Sequence, residues 1–202
     1  MRCVLSLLLI VLLAACSTPG AFFGAVEGKA FEPHTLSDEN NALVYLYRPR
    51  NDWADQELEA PGLFLDNQLI GSLPSNGYLA FEFEAANYKL EMRRPLAGSF
   101  WTLLADGPLD FTLISSFTLD AAVGGTYYLR YDEEGPPPQD GEPQSSGDGP
   151  LQLVSAALAQ RELAATRQMQ ALTRIAASNQ DAERPQRGFW RSIGEALDKV
   201  GI

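Results

Sequence analysis

Tyr78-Leu79-Ala80-Phe81-Glu82-Phe83-Glu84 and, after Ala85-Ala86-Asn87, the run Tyr88-Lys89-Leu90-Glu91-Met92-Arg93 decide the fold class. Leu79, Phe81 and Phe83 fall on one side of an extended chain and Ala80, Glu82 and Glu84 on the other. Tyr88, Leu90 and Met92 oppose Lys89, Glu91 and Arg93 in the same way. Side chains alternate across a strand, so this spacing predicts one buried and one wet face, the habit of antiparallel sheet.

The period of two extends in both directions. In Ala42–Arg48, Leu43, Tyr45 and Tyr47 alternate with Val44, Leu46 and Arg48, which predicts a strand covered on both faces. Gly62–Leu73 reads as a hairpin around Asp66-Asn67, and Pro74-Ser75-Asn76-Gly77 as a second turn. Phe111–Asp120 and Thr126–Asp132 add strands around Gly124-Gly125. Six or seven short strands separated by turns predict a mainly β fold, a small antiparallel β-sandwich over residues 41–132 with a C-terminal α-helical extension.

Residues 133–150 are dominated by Pro, Gly, Asp, Glu, Gln and Ser and predict a disordered linker or insertion. Over 151–184 a short strand, Leu151-Gln152-Leu153-Val154, precedes a helix from Ser155 to about Asn179. Its stripe is Leu158, Ala165 and Leu172, with Met169 and Ile175 nearby. Pro185 breaks it. Residues 186–202 form a second amphipathic segment. Phe189, Ile193, Leu197 and Val200 recur at helical spacing, with Trp190 beside them and Arg184, Arg187, Arg191 and Lys199 adding positive charge. Phe189, Trp190, Arg191, Ile193 and Leu197 are the candidate contacts to a membrane or a protein partner.

The other end is an export signal. Arg2 is a short positive region, Val4 to Leu13 is apolar apart from Ser6, and small residues precede a cysteine. The run is far too short to span a bilayer, which takes about 20 apolar residues. Leu13-Ala14-Ala15-Cys16 resembles the lipobox of bacterial lipoproteins. That resemblance implies a signal peptide over 1–15, cleavage between Ala15 and Cys16, and a diacylglyceryl thioether and an acyl chain (palmitate) on Cys16. Residues 16–40, with Gly, Pro and small residues and little periodicity, read as a tether, in which Phe22, Phe23 and Phe31 are unusual and have the domain or the lipid surface to rest on. Several acyl chains hold a protein where one would be marginal. In a Gram-negative host, Ser17 after the cysteine points to the outer membrane, with the domain facing the periplasm.

Composition narrows the chemistry. The net charge of -11, one unit more negative once Arg2 leaves, argues against nucleic acid as a partner. Cys3 leaves with the signal and Cys16 carries lipid, so the mature chain has no disulfide. His34 is the one histidine, which removes the usual zinc, copper and haem sites; it reads as a solvated tether residue, and no cofactor is expected. No phosphate-cradling glycine loop, nucleophile elbow or zinc-protease motif occurs. Asp52, Asp55, Glu57 and Glu59 lack calcium-loop spacing and read as a solvated loop, while Asp132, Glu133 and Glu134 lead into the linker. Arg48 and Arg130 each end an aromatic strand. If those strands are neighbours, the pair is a candidate anion or partner site. The plainer reading gives each a nearby carboxylate at the sheet edge.

Ala42-Leu43-Val44-Tyr45-Leu46-Tyr47-Arg48-Pro49, Leu65-Asp66-Asn67-Gln68-Leu69-Ile70-Gly71, Asn76-Gly77-Tyr78 and Gly125-Thr126-Tyr127-Tyr128-Leu129-Arg130, behind a lipobox, resemble a family of uncharacterised bacterial lipoproteins with a domain of unknown function. The resemblance spans about residues 42–165 and implies a sandwich of the transthyretin or carboxypeptidase-regulatory kind. Ala85-Ala86-Asn87 replaces a Pro-Gly turn common in that family, and 133–150 has the look of an insertion. The family brings no catalytic residues. The expectation is a non-enzymatic, lipid-anchored envelope module that binds an envelope protein or glycan, against an enzyme or ligand carrier acting on an anionic envelope compound through Arg48 and Arg130.

Overall fold

In the computed structural model of the protein, which describes residues 28–96, 100, 111–135 and 149–177, two sheets pack face to face. The strands are β1 (Asn41–Tyr47), β2 (Gly62–Leu65), β3 (Gln68–Ser72), β4 (Gly77–Glu84), β5 (Ala86–Arg93), β6 (Leu113–Ala121), β7 (Thr126–Tyr131), β8 (Leu151–Leu153), β9 (Arg167–Gln168) and β10 (Thr173–Ile175). Two helices accompany them, α1 (Asp52–Gln56) and α2 (Ala156–Leu163). The first sheet runs β10-β4-β1-β7-β8, with β9 also on β4; the second runs β3-β2-β5-β6. Cys16, residues 1–15 with the predicted signal, the segment 186–202 and most of 133–150 lie outside the described residues.

The alternating residues meet between the sheets. Val44, Leu46, Leu79, Phe81 and Phe83 face Leu63, Leu90, Met92, Phe117 and Leu119 in one buried cluster. Phe83 and Tyr88, on either side of the β4–β5 turn, cross edge to face at 4.5 Å. The turns fall where their residue types allow. Asp66 and Asn67 take φ of 49° and 63°, and Asn76 takes 59°, in the left-handed region that Asn and Asp tolerate. Gly124 takes φ of 70° while its N–H donates to the Asn41 carbonyl at 2.9 Å.

The pairing is not antiparallel throughout. β1 lies parallel to β7, and β9 and β10 lie parallel to β4. Parallel neighbours need a long connection. Between β1 and β7 the chain builds the β2–β3 hairpin of the second sheet, returns to the first for β4, and completes the second with β5 and β6.

The wet faces are also drier than alternation predicts. Leu43, Tyr45, Tyr47, Tyr78 and Ala80 form a second buried cluster on the outer face of the first sheet, under Val154, Leu158, Ala159 and Leu163. Glu82 is fully buried, as is Arg93 on the second sheet. Arg93 donates to Asn67 Oδ1 at 2.6 Å, pairs with Glu91 and lies 4.8 Å over the Phe64 ring.

Two corrections concern the ends of the described chain. The helix predicted to run to Asn179 stops at Leu163, where Thr166 Oγ1 donates to the Leu163 carbonyl at 2.8 Å. Beyond it the chain extends along β4: Arg167 N–H donates to Asn76 O, and Met169 N–H to Tyr78 O. Helix propensity is worth only tenths of a kcal/mol per residue, and an open β4 edge outweighs it. The second correction is the tether. Residues 28–38 do not stand off the domain but strap its outer face. Phe31 packs edge to face on Tyr45 and Tyr78 at 5.4 and 5.3 Å. His34 is half-buried rather than solvated, stacks near Tyr45, and its N–H donates to the Tyr45 hydroxyl at 2.7 Å.

Candidate functional site

The parallel pair β1–β7 decides where the two arginines go. Tyr47 stands opposite Arg130, so Arg48 comes level with Tyr131 at the same end of the sandwich. Successive side chains change face. Arg48 therefore turns inward with Leu46 and Tyr131, and Arg130 turns outward with Tyr47 and Tyr128. The two do not converge, and a joint anion site made from both is ruled out by this register.

Each arginine holds its own carboxylates. Arg48, only 1% exposed, gives Nη1 to Glu57 Oε2 at 2.5 Å and lies 5.2 Å over the Tyr131 ring. Its Nη2 stands 3.6 Å from Glu133 Oε1. That oxygen accepts a hydrogen bond from the Tyr131 hydroxyl at 2.5 Å, and Glu133 also pairs with Arg94, which stands 3.5 Å from Glu57. Two guanidinium groups and two carboxylates thus close a ring at this pole. Arg48 Nε and Nη2 have no hydrogen-bond partner among the described residues, so the Tyr131 ring face and the nearby Glu133 charge compensate that edge.

On the outer face Glu162 of α2 takes the corresponding part. It accepts from Tyr47 Oη at 2.6 Å and from Arg130 Nε at 3.0 Å, while Arg130 Nη2 meets Asp132 Oδ2 at 3.0 Å. Asp132 also accepts from Asn51 Nδ2 at 3.1 Å, which ties this network to the loop that carries Glu57. Burial and then the Glu162 contact push the Tyr47 hydroxyl well above the ordinary phenol range, and burial with Glu133 does the same to Tyr131. Both phenols stay protonated and act as donors.

The cluster is a brace. It fastens the loop after β1, the ends of β5 and β7, and α2 around one pole. The expected local carboxylate pairing holds for both arginines. Glu57, Asp132 and Glu133, read from the sequence as solvated or leading into a loose linker, are instead its fixed acceptors. Glu162 carried no signal beyond its place in a helical run. No spacing in the sequence connects it to residues 115 and 32 positions away.

At the opposite pole Glu82 is a further fixed carboxylate. It accepts from Ser37 Oγ at 2.6 Å, from the N–H groups of Ser37 and Asp38 at 3.2 and 3.1 Å, and from Asn41 Nδ2 at 2.9 Å. Arg174 Nε lies 3.7 Å away. Burial pushes its carboxyl pKa up, but these donors outweigh burial and hold it at about 2. Glu82 is the rivet of the strap.

The candidate lipid site, Ala15 and Cys16, and the candidate contacts Phe189, Trp190, Arg191, Ile193 and Leu197 lie outside the described residues. Among the described residues no helix is long and apolar enough to cross a membrane. The family described as "Protein of unknown function (DUF2846)" matches residues 38–144, more than half of the chain. No curated protein and no solved structure matches it. The matched stretch contains β1 to β7 and ends before β8, α2, β9 and β10, so part of the strap and the C-terminal cover of the first sheet come from outside it.

Proposed function

This chain belongs to the DUF2846 family of proteins of unknown function, and on that premise we propose that it is a lipid-anchored lipoprotein of the bacterial cell envelope whose sandwich is a non-enzymatic binding or accessory module. The observation that carries the reading is the strap. The chain that follows Leu13-Ala14-Ala15-Cys16 is fastened to the first sheet from Gly28 onward, by Phe31 on two tyrosines and by Ser37 and Asp38 on Glu82. An N-terminus bound in this way transmits the position of an anchor to the whole domain. The brace supports the same reading, because its arginines are neutralised inside the domain rather than offered to an anionic ligand.

The sandwich then faces the periplasm from the outer membrane of a Gram-negative host, as Ser17 suggests, and its partner is an envelope protein or glycan. Residues 186–202, with Phe189, Trp190, Arg191, Ile193 and Leu197, supply a further contact to that partner or to lipid. Mass spectrometry of the N-terminal peptide after expression from the native start tests the anchor: it should carry diacylglycerol and an acyl chain on Cys16, and Cys16→Ala should leave the signal uncut. An unmodified cysteine in the mature chain refutes the anchor. Crosslinking in intact envelopes tests the partner, and recovery of neither protein nor glycan would count against the binding role.

A further inference from the structure

The strand register fixes which pole of the sandwich lies beside the anchor. β9 pairs with the start of β4, Gly77 with Arg167 and Tyr78 with Gln168. The strap begins on that same short strand: Ala30 bridges Arg167, and the Lys29 carbonyl accepts from Gln168 N–H at 2.8 Å. Tyr78 stands opposite Tyr47 at the end of β1. The described N-terminus thus enters at the pole where β1, β5 and β7 end and β4 and β6 begin, the pole closed by the brace. Gly28 is twelve residues beyond Cys16. At roughly 3.5 Å per residue those residues span at most about 40 Å. Turning the far pole to the bilayer would spend about 25 Å of that reach on running back along an eight-residue strand.

The same pole carries exposed apolar side chains. Trp53 is on α1 and Leu58 in the loop after it, Leu96 follows β5, Phe111 precedes β6 and Leu113 is its first residue. Leu58 and Phe111 are each 74% exposed. Trp53 is held outward because Ala54, its neighbour on α1, is buried and its N–H bonds the Asn51 side chain at 2.6 Å. At the far pole, beside Gly124, Val123 is the one large apolar side chain counted as exposed among the described residues.

We propose that this pole faces the bilayer and seats Trp53, Leu58, Leu96, Phe111 and Leu113 in the headgroup region. The inference rests on the reading of Cys16 as a lipid anchor. A lipid surface fits because the attached lipid places the pole within reach of one, and a large exposed apolar set on a soluble face marks such a contact. The contact is apolar rather than electrostatic. Asp52, Asp55 and Glu134 are exposed there beside Arg50 and a half-buried Arg94, so anionic headgroups gain nothing from it.

On that reading the mature sequence has one cysteine, Cys16, whose sulfur the diacylglyceryl thioether blocks. Single introduced cysteines therefore take a fluorescent label cleanly. Leu58→Cys, Phe111→Cys and Val123→Cys, made in the full lipidated chain and reconstituted into phosphatidylcholine vesicles, are compared with a nitroxide-lipid quencher and with iodide. Labels at 58 and 111 should be quenched several-fold more by the lipid nitroxide than the label at 123, with the order reversed for iodide. Flotation of the vesicles and the mass of the N-terminal peptide report the anchor separately. If the chain floats with Cys16 acylated and positions 58 and 111 stay open to iodide, the orientation is wrong and the anchor stands. If Cys16 is unmodified and the chain does not float, the anchor fails and the orientation with it. Shielding of 58 and 111 in native envelopes but not in pure lipid would assign the pole to a protein and overturn the lipid contact.

Discussion

Arg48 and Arg130, one step apart in register across the parallel β1–β7 pair, send their guanidinium groups to opposite faces of the same sheet. One is a core residue lying over Tyr131, and the other is a clamp on α2. Their similar settings in sequence, each closing an aromatic strand, conceal different work.

Removing Arg48 leaves Arg94 as the one guanidinium of the ring for both Glu57 and Glu133, beside a buried gap. Arg48→Ala should cost about 3–5 kcal/mol, the usual penalty for breaking one side of a buried pair. Arg48→Lys should recover only part of it, because an ammonium lacks the flat fork that meets Glu57 while lying on Tyr131. Urea denaturation of both variants checks this; an unchanged midpoint for Arg48→Ala would deny the brace.

Tyr47→Phe deletes a single hydroxyl and leaves Glu162 bonded to Arg130. The expected loss is about 1 kcal/mol. Adding Arg130→Met to Tyr47→Phe leaves Glu162 without either donor, so the double variant should lose more than the two single losses together. A double-mutant cycle measured by thermal or urea unfolding gives the coupling, and strict additivity would contradict a shared acceptor.

Glu82 makes the strap sensitive to acid. Its folded pKa, about 2, lies below the ordinary value of 4.5, so its contribution is complete above about pH 4.5 and is lost as pH falls toward 2. Glu82→Gln should destabilise by about 2 kcal/mol at neutral pH, since hydrogen bonds to a charge are the stronger kind. The gap between wild type and variant should close on acidification. Unfolding curves at pH 7, 4 and 2.5 test the sign, and a gap that widens in acid would exclude Glu82 as the rivet.

At Gly28 a Cβ would run into the backbone carbonyl of Gln168. Gly28→Ala should therefore loosen the strap locally. Hydrogen exchange should quicken over residues 28–40 and 167–169 while β1 and β7 keep their protection. Uniform protection would show that the strap does not depend on this close approach.

Deleting residues 164–202 strips β9 and β10 from β4. An uncovered edge invites pairing with another chain, so the truncated protein should self-associate in proportion to concentration. Light scattering after size-exclusion chromatography measures it, and a monomer at high concentration would mean that the β4 edge is blunted in another way.

Much of the sandwich was legible because alternation reports burial directly. Leu79, Phe81, Phe83, Tyr88, Leu90 and Met92 lie in the core the pattern predicts, and the turns at Asp66-Asn67 and Asn76-Gly77 fall where side chains that tolerate positive φ stand. The same logic misplaced Glu82, Glu91 and Arg93, because a charged residue reads as wet unless its partner is known. Ser37 and Asn67, which bond Glu82 and Arg93, come from other parts of the chain. The long C-terminal helix failed for a related reason: local propensity was right about α2 and silent about the open edge waiting beyond it.

By itself, then, the sequence determined the mainly β class, the two-sided burial of β1 and the inward set of β4 and β5, since each follows from periodicity along the chain. Only the tertiary structure decided that β1 and β7 run parallel, that Arg48 and Arg130 part company across the sheet, and that residues 28–38 and 164–177 close its outer face and edge. Those are relations between segments far apart in the chain. They are selected by which buried donors and open strand edges the rest of the fold leaves to be satisfied, and no local pattern encodes that choice.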